Sequence, residues 1–375
     1  MDAVKATNRV FDKAKESPAN RLLKNLSGTQ LPNCISATGS LVQVSAADWT
    51  SGFFPGELWY LANYKNDATM QTNANKYTQL LQSQQYTTNT HDLGFMMYCS
   101  YGNGLKMYNV SGYKDILVQS ANSLQGRYSD VVGCMRSWDF GSYSYPVIID
   151  NMMNLELMFW ATRTTGDSLY YKGAVSHAMK TMKNHYRPNY SSFHLVDYDP
   201  SNGAVLKQQT VQGYSNSSSW ARGQAWGLYG FTMCYNETGN VAFLNQAKHI
   251  ADYILSSLPS DYVPYWDYND PTIPNAPRDA SAAAVAASGL LELYRLGHDV
   301  AYLRAAEKIL WNLSSSVYMN SANENQNMLL KHSTGNKPKN SQVDVPIIYA
   351  DYYFVEALCR YVKLKNTVSA VPEVR

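Results

Sequence analysis

Apolar residues recur along most of the chain at three- and four-residue intervals, the pattern of amphipathic helices. One punctuation mark interrupts them repeatedly. In "ATRTTGDSLYYKGA", "CYNETGNVAFLNQA" and "LYRLGHDVAYLRAA" an apolar stretch stops at Gly166, Gly239 or Gly297, a polar residue follows, and a second apolar stretch begins. Each glycine is placed to take the left-handed conformation that closes a helix, and Asp167, Asn240 and Asp299 are placed to cap the next one. Weaker copies lie near Asn66 and Gly112. The copies are unevenly spaced, as expected for a helical hairpin followed by a variable loop. Twelve helices are predicted, starting near residues 3, 52, 68, 92, 111, 148, 167, 221, 240, 279, 299 and 347. Six hairpins closing in a ring make an all-α fold, the (α/α)6 barrel, with the last helix ("ADYYFVEALCRYVKL") meeting the first.

The two helices of a hairpin differ in character. "DNMMNLELMFWAT" and "DASAAAVAASGLLELYRL" are apolar almost all round and suit an inner ring; "SLYYKGAVSHAMKTMKNHY" and "VAYLRAAEKILWNL" carry a polar stripe and suit an outer one. An open superhelical array would need polar capping helices at its ends, which are missing from the pattern. In a closed ring the inner helices run the same way, so their amino termini gather at one mouth. The long connections, roughly residues 18–48, 128–147, 188–220, 259–278 and 316–346, all lead into inner helices and so cluster there. Connections of that length usually carry function.

Composition narrows the partner. The net charge of +2 gives no basic field for nucleic acid, and no run of apolar residues is long enough to span a membrane. The 30 tyrosines and 8 tryptophans supply apolar faces with polar tips, as carbohydrate recognition requires. Cys34, Cys99, Cys134, Cys234 and Cys359 show neither CxxC nor metal-ligand spacing, so neither a disulfide framework nor a metal site is expected. The start "MDAVKATNRVFDKAKES" is amphipathic rather than a signal peptide. It fits a cytoplasmic protein, whereas a signal already removed would fit the periplasm.

The inner-helix starts bring together Trp49, His91, Asp92, Asp150, Arg222, Trp226, Arg278, Asp279 and Asp351. An aspartate at a helix start is often only a cap. Asp92 stands between His91 and an apolar Leu-Gly-Phe run, and Asp150 follows "VII", so both carboxyls are expected in surroundings that raise their pKa, as a general acid needs. Asp279 and Asp351 are read as caps or braces. Arg222 either orients an anionic, polyhydroxylated ligand or bridges two helices through a buried carboxylate. Trp49, Trp138 and Trp226 are placed to stack on sugar rings, whereas Trp59, Trp160 and Trp311 are expected in the core. His194 and Gln212 lie in a long mouth loop.

Together "DWTSGFFPGELW", "HDLGFMMY", "IIDNMMNLELMFWA", "WARGQAWGLYGF", "DASAAAVAASGLLEL" and "YADYYFVEAL", spread from Trp49 to Leu364, resemble the unsaturated glucuronyl hydrolases, glycoside hydrolase family 88. The resemblance implies one catalytic (α/α)6 domain over residues 1–375, with no cofactor. The implied substrate is a lyase-generated oligosaccharide, such as a chondroitin, hyaluronan or heparin disaccharide, ending in a 4,5-unsaturated glucuronic acid. The implied reaction hydrates the vinyl ether: a proton goes to C4, water adds at C5, and the hemiketal collapses and expels the remaining sugar. By the same resemblance Asp150 is the general acid/base and Asp92 its second carboxylate. His194, Gln212, Arg222 and Trp226, with Trp49, His91 and Trp138, become ligand contacts. In "KHSTGNKPKNSQVDVP", Ser333, Lys337, Lys339 and Ser341 would receive a sulfate or merely form a solvated basic loop. Two alternatives are an unsaturated rhamnogalacturonyl hydrolase acting on pectin fragments and a non-catalytic sugar-binding barrel; the presence of both carboxylates argues against the latter.

Overall fold

A computed structural model of the chain describes residues 26–321 and 324–369. The helix predicted near residue 3 lies outside them. Eleven α-helices are present among the described residues, beginning close to the remaining predicted starts. They form hairpins: α1 (Phe53–Lys65) with α2 (Ala68–Gln79), α3 (Asn103–Tyr108) with α4 (Tyr113–Gln125), α5 (Leu155–Thr165) with α6 (Ser168–Asn184), α7 (Ala221–Thr238) with α8 (Val241–Ser257), and α9 (Ala280–Gly297) with α10 (Val300–Leu313). The eleventh, α11 (Ile348–Ser369), packs on both α9 and α1.

The first member of each hairpin touches the first member of the next, the second hairpin reaching α5 through the segment Gly94–Gly102 that leads into α3, and α11 returns to α1, so the inner ring closes. Burial follows from this. Every residue of α7 from Ala221 to Cys234 is buried, whereas outer helix α10 buries Tyr302, Ala305, Ala306, Ile309, Leu310 and Leu313, one stripe at helical spacing. Trp311 falls off that stripe and is half-exposed, and Trp160 is only partly buried, so of the three tryptophans expected in the core Trp59 alone is fully enclosed. No helix of the described residues is long and apolar enough to cross a membrane.

The hairpin turns use the expected chemistry with one difference. Gly166 and Gly239 take positive φ, and Asp167, Asn240 and Asp299 accept backbone N–H groups of the helices they open. In the third copy α9 runs one residue longer, and His298 rather than Gly297 takes the left-handed turn, at φ 57°. Histidine is among the few non-glycine residues that enter that region readily.

Two further features depart from an all-helical plan. Short antiparallel strands line the mouth: β1 (Leu31–Ile35) with β2 (Leu41–Val44), β3 (Tyr128–Ser129) with β4 (Cys134–Met135), and a three-stranded sheet in the order β5 (Pro146–Ile148), β6 (Leu195–Tyr198), β7 (Val205–Gln209). Strands of two to five residues leave too little alternation to read in a sequence. In addition, two inner helices begin irregularly. The segment Gly94–Gly102 is π-helical before it becomes α3, and Ile149–Asn154 is a 3-10 helix before it becomes α5. These are the two starts that carry the candidate carboxylates.

Candidate active site

The amino termini of the inner helices do meet. Trp49 packs its ring 5.5 Å from Phe95 and 5.2 Å from Tyr349, and Phe95 lies 5.2 Å from Trp226, so residues from α1's approach, the π-helical segment, α7 and α11 share one aromatic wall. The small sheet adds the remaining parts. Strand β5 ends at Ile148, and the Ile149 N–H donates to the His194 carbonyl at 3.0 Å, which sets His194 beside Asp150.

Asp150 is almost fully enclosed, and burial raises its carboxyl pKa to about 7, with the neighbouring Asp92 pushing the same way and Arg222 opposing. Asp92 is partly exposed. Burial raises its pKa to about 6 against a hydrogen bond from Thr90 Oγ1, at 2.7 Å, and the charge of Arg127. Two carboxyls at one mouth therefore both titrate near neutrality.

The histidines beside them are neutral there. Burial lowers the pKa of His194 and of His91 to about 3, with Arg127 adding to the effect at His91. The Val211 N–H donates to His194 Nδ1 at 3.0 Å, so the neutral ring carries its proton on Nε2, 3.6 Å from Asp150 Oδ2. His91 Nε2 lies 3.3 Å from Asp92 Oδ1.

Among the described residues, Asp150 Oδ2, His194 Nε2, His91 Nδ1, Trp138 Nε1, Trp226 Nε1 and Tyr349 Oη are buried without a hydrogen-bond partner. Buried polar atoms are nearly always paired because an orphan costs its full desolvation. Others occur elsewhere, such as Thr162, His177 and Gln246, but the six at the mouth lie where a ligand rich in hydroxyl and carboxyl groups would find partners.

Arg222 differs from the open fork that would orient a ligand. It is fully buried, donates to Asp279 Oδ2 at 2.8 Å and to the Thr334 and Gly335 carbonyls, and lies over the Trp220 ring. It is the bridge between α7 and α9, and it acts on Asp150 through its charge. Asp279 also caps α9, accepting from the Ser281 and Ala282 N–H groups, and Asp351 accepts from the Leu329 and Leu330 N–H groups, so both aspartates are braces.

The remaining candidates divide. Trp226 is enclosed in the aromatic wall, while Trp49 is partly exposed. Trp138 is also partly exposed and stacks on the open ring of Phe140 at 5.5 Å. Gln212 Nε2 donates to the Gly335 carbonyl at 3.4 Å, tying its loop to the segment that Arg222 holds. Ser333 is fully buried within a backbone bridge to Val345, its Oγ without a hydrogen-bond partner, so it is enclosed rather than presented on the loop's surface. Lys337 is half-buried near Asp270, and Lys339 is exposed.

Several supporting residues had no individual prominence in the sequence. Thr90 orients Asp92; Asn151 joins Ser137 Oγ, at 2.6 Å, to the Met135 carbonyl; and Asn154 donates to the Asp150 carbonyl. The one available signal was polar side chains inside the apolar run "IIDNMMNLEL".

No family model matches the chain. An unsaturated glucuronyl hydrolase of Formosa agariphila is 47% identical over 335 residues, covering 88% of this chain and 84% of that protein. An unsaturated chondroitin disaccharide hydrolase of Streptococcus agalactiae is 32% identical over 367 residues, covering 94% and 91%. The crystal structure of an unsaturated glucuronyl hydrolase specific for heparin superposes with a TM-score of 0.93 at 42% identity, covering 97% of this chain and 98% of that one.

Proposed function

Because the chain belongs to the unsaturated glucuronyl hydrolases, we propose that it releases terminal 4,5-unsaturated glucuronic acid from lyase-generated glycosaminoglycan fragments. The observation that carries this is Asp150: an enclosed carboxyl that titrates near 7, with one oxygen unpartnered and turned toward His194. A carboxyl with a pKa near the working pH is divided between acid and base, which suits a group that must give a proton and take one back.

In the proposed reaction Asp150 protonates C4 of the vinyl ether, and the developing positive charge at C5 is shared with the ring oxygen. The carboxylate then accepts a proton from the water that adds at C5. The C5 hemiketal opens, and the hemiacetal left at C1 expels the rest of the sugar as an alcohol. His194 Nε2–H steadies the Asp150 carboxylate between its two duties, and its low pKa keeps it a neutral donor rather than a competing acid. Asp92, held by Thr90 and beside His91, holds the sugar and keeps the pKa of Asp150 high through like charge. Trp49 and Trp138, both partly exposed, offer rings to the sugar, with Trp226 enclosed in the wall behind Phe95, and Gln212 offers a carboxamide. The whole chain works as one catalytic unit.

Sulfated fragments are favoured. The relatives include a heparin-specific protein and a chondroitin disaccharide hydrolase. The loop holding Lys337 and Lys339 is anchored at the mouth by the Gly335 carbonyl, which accepts from Arg222 and Gln212. The test is loss of the ultraviolet absorbance of the conjugated double bond in unsaturated chondroitin and heparin disaccharides. Decay with the native protein and none with Asp150→Asn supports the reading. Decay only on unsaturated rhamnogalacturonan would replace it with the pectin alternative.

A further inference from the structure

Asp92 and Asp150 sit on separate inner helices whose first turns are both irregular, one π-helical and one 3-10. Asn154, the last residue of the 3-10 segment that carries Asp150, reaches across to the other turn. Asn154 is 1% exposed; its Oδ1 accepts the Phe95 N–H at 2.9 Å, and its Nδ2 donates to the Asp150 carbonyl at 3.4 Å. The Phe95 N–H is thereby taken by another helix's side chain within the first turn after Asp92, while the Met96 N–H bonds back to the Asp92 carbonyl at 2.9 Å. Insertion of a side chain into a helical ladder is a recognised cause of local opening, and π-helical turns concentrate at functional sites.

The contact is close as well as hydrogen-bonded. A Cβ added at Gly94 would meet Asn154 Cα at 2.5 Å and its Oδ1 at 2.7 Å, so only glycine lets the two backbones approach this far. Both polar ends of the carboxamide are used, one toward each carboxylate-bearing turn. A hydrophobic residue would satisfy neither, and a carboxylate would satisfy only the Phe95 N–H.

We propose that Asn154 is a positioning residue that sets the separation and orientation of Asp92 and Asp150 by clamping the turns that carry them. Asn154 touches no reacting atom in this assignment; it works through the backbones of its two neighbours. The inference rests on the carboxylate roles proposed above. The groups facing Asp150 are Asp92, His194, Arg222 and the Trp226 indole, and a change in the first of these distances alters how strongly one carboxylate raises the pKa of the other.

The experiment compares the native protein with Asn154→Ala, Asn154→Asp and Asp150→Asn. It measures kcat and KM on an unsaturated chondroitin disaccharide, the pH profile, the thermal midpoint and the carboxyl-carbon NMR titration of Asp92 and Asp150. Misplacement of a reacting group by about 1 Å can cost about 10²-fold. The expected result is therefore kcat in Asn154→Ala lowered by about 10- to 100-fold with KM little changed, and the Asp150 titration displaced. In Asn154→Asp, activity should recover toward the native level as the pH falls, because the protonated carboxyl offers one acceptor and one donor as the amide does. Native kcat with an unmoved Asp150 titration in either variant overturns the proposal, whatever happens to the thermal midpoint. So does a rise in KM alone, which would mark a ligand contact. If Asn154→Ala does not fold, the near-isosteric Asn154→Asp decides by the same criteria. Failure of the underlying reading has a different signature: Asp150→Asn keeps turning substrate over, or the native protein never does, while the NMR titration still reports whether Asn154 holds the pair.

Discussion

Two acidic side chains inside the barrel, one at the mouth and one further along the inner helices, are buried to nearly the same degree and treated in opposite ways. Asp150 is 7% exposed and Glu356, in α11, is 3% exposed. Glu356 is saturated: Tyr60 and Tyr229 hydroxyls donate to one oxygen at 3.0 and 3.3 Å, Ser288 donates to the other at 2.6 Å, and Arg360 lies 3.3 Å away. A cavity of about 30 Å³ beside it, lined in part by Lys106, Asn103 and Glu156, is polar on most sides. Asp150 keeps one oxygen without a partner, 3.6 Å from the neutral His194 Nε2 and so just beyond hydrogen-bond reach, with no cation locked onto it. Burial alone therefore does not distinguish a working carboxyl from a structural one. What distinguishes them is whether the protein itself has used every lone pair.

The comparison breaks most sharply by substitution at each end. Asp150→Asn should lower turnover by about 10²- to 10⁴-fold, the usual weight of general acid/base catalysis, without lowering the thermal midpoint. Steady-state rates and a thermal melt on the same preparation check both halves. Glu356→Ala should do the reverse. It leaves three buried hydroxyls without their acceptor, while Arg360 keeps Glu292, the Tyr229 hydroxyl and the Ser288 carbonyl, and a buried donor left unsatisfied costs about 1–3 kcal/mol. Denaturant unfolding should record that loss while the folded fraction keeps near-native kcat.

A subtler contrast lies in Arg222, which belongs to both kinds of region. Its charge is matched by Asp279, yet it still depresses the pKa of Asp150. Asp279→Asn removes the match, so Arg222 should pull the Asp150 pKa further down and move the alkaline limb of the kcat/KM profile, near about 7 in the native protein, to lower pH. An unmoved limb would mean that the two charges do not communicate.

Smaller still is the effect on stability. The Asp150 carboxyl is raised in the folded state, so the folded protein holds a proton that the unfolded chain releases near pH 4. Its stabilising contribution is complete below the unfolded value and is lost as the pH rises toward about 7. The buried His91, His177, His185 and His194, held neutral in the fold, act the other way over the same window, so the Asp150 part is read as a difference: the midpoint of Asp150→Asn should rise relative to the native protein as the pH goes from about 4 to about 7.

Much of this was legible along the chain because it is local chemistry. The helix starts, the left-handed turns at Gly166 and Gly239 and the caps at Asp167, Asn240 and Asp299 depend on a few adjacent residues, and the near all-round apolarity of the stretches that form α5 and α9 declares an inner helix without knowledge of its neighbours. A ring of hairpins then sends Asp92, Asp150 and Trp49 to one mouth as a matter of direction. Tertiary structure decided everything that needed a partner from another hairpin. It decided that Arg222 is matched by Asp279 fifty-seven residues away, that His194 arrives beside Asp150 just ahead of a strand too short to be read, and that Ser333 is enclosed. It also decided that the helices carrying Asp92 and Asp150 begin as π and 3-10 turns joined through Asn154. Helix periodicity is a property of neighbours in sequence, whereas a pKa, a paired charge or an unpartnered oxygen is a property of neighbours in space.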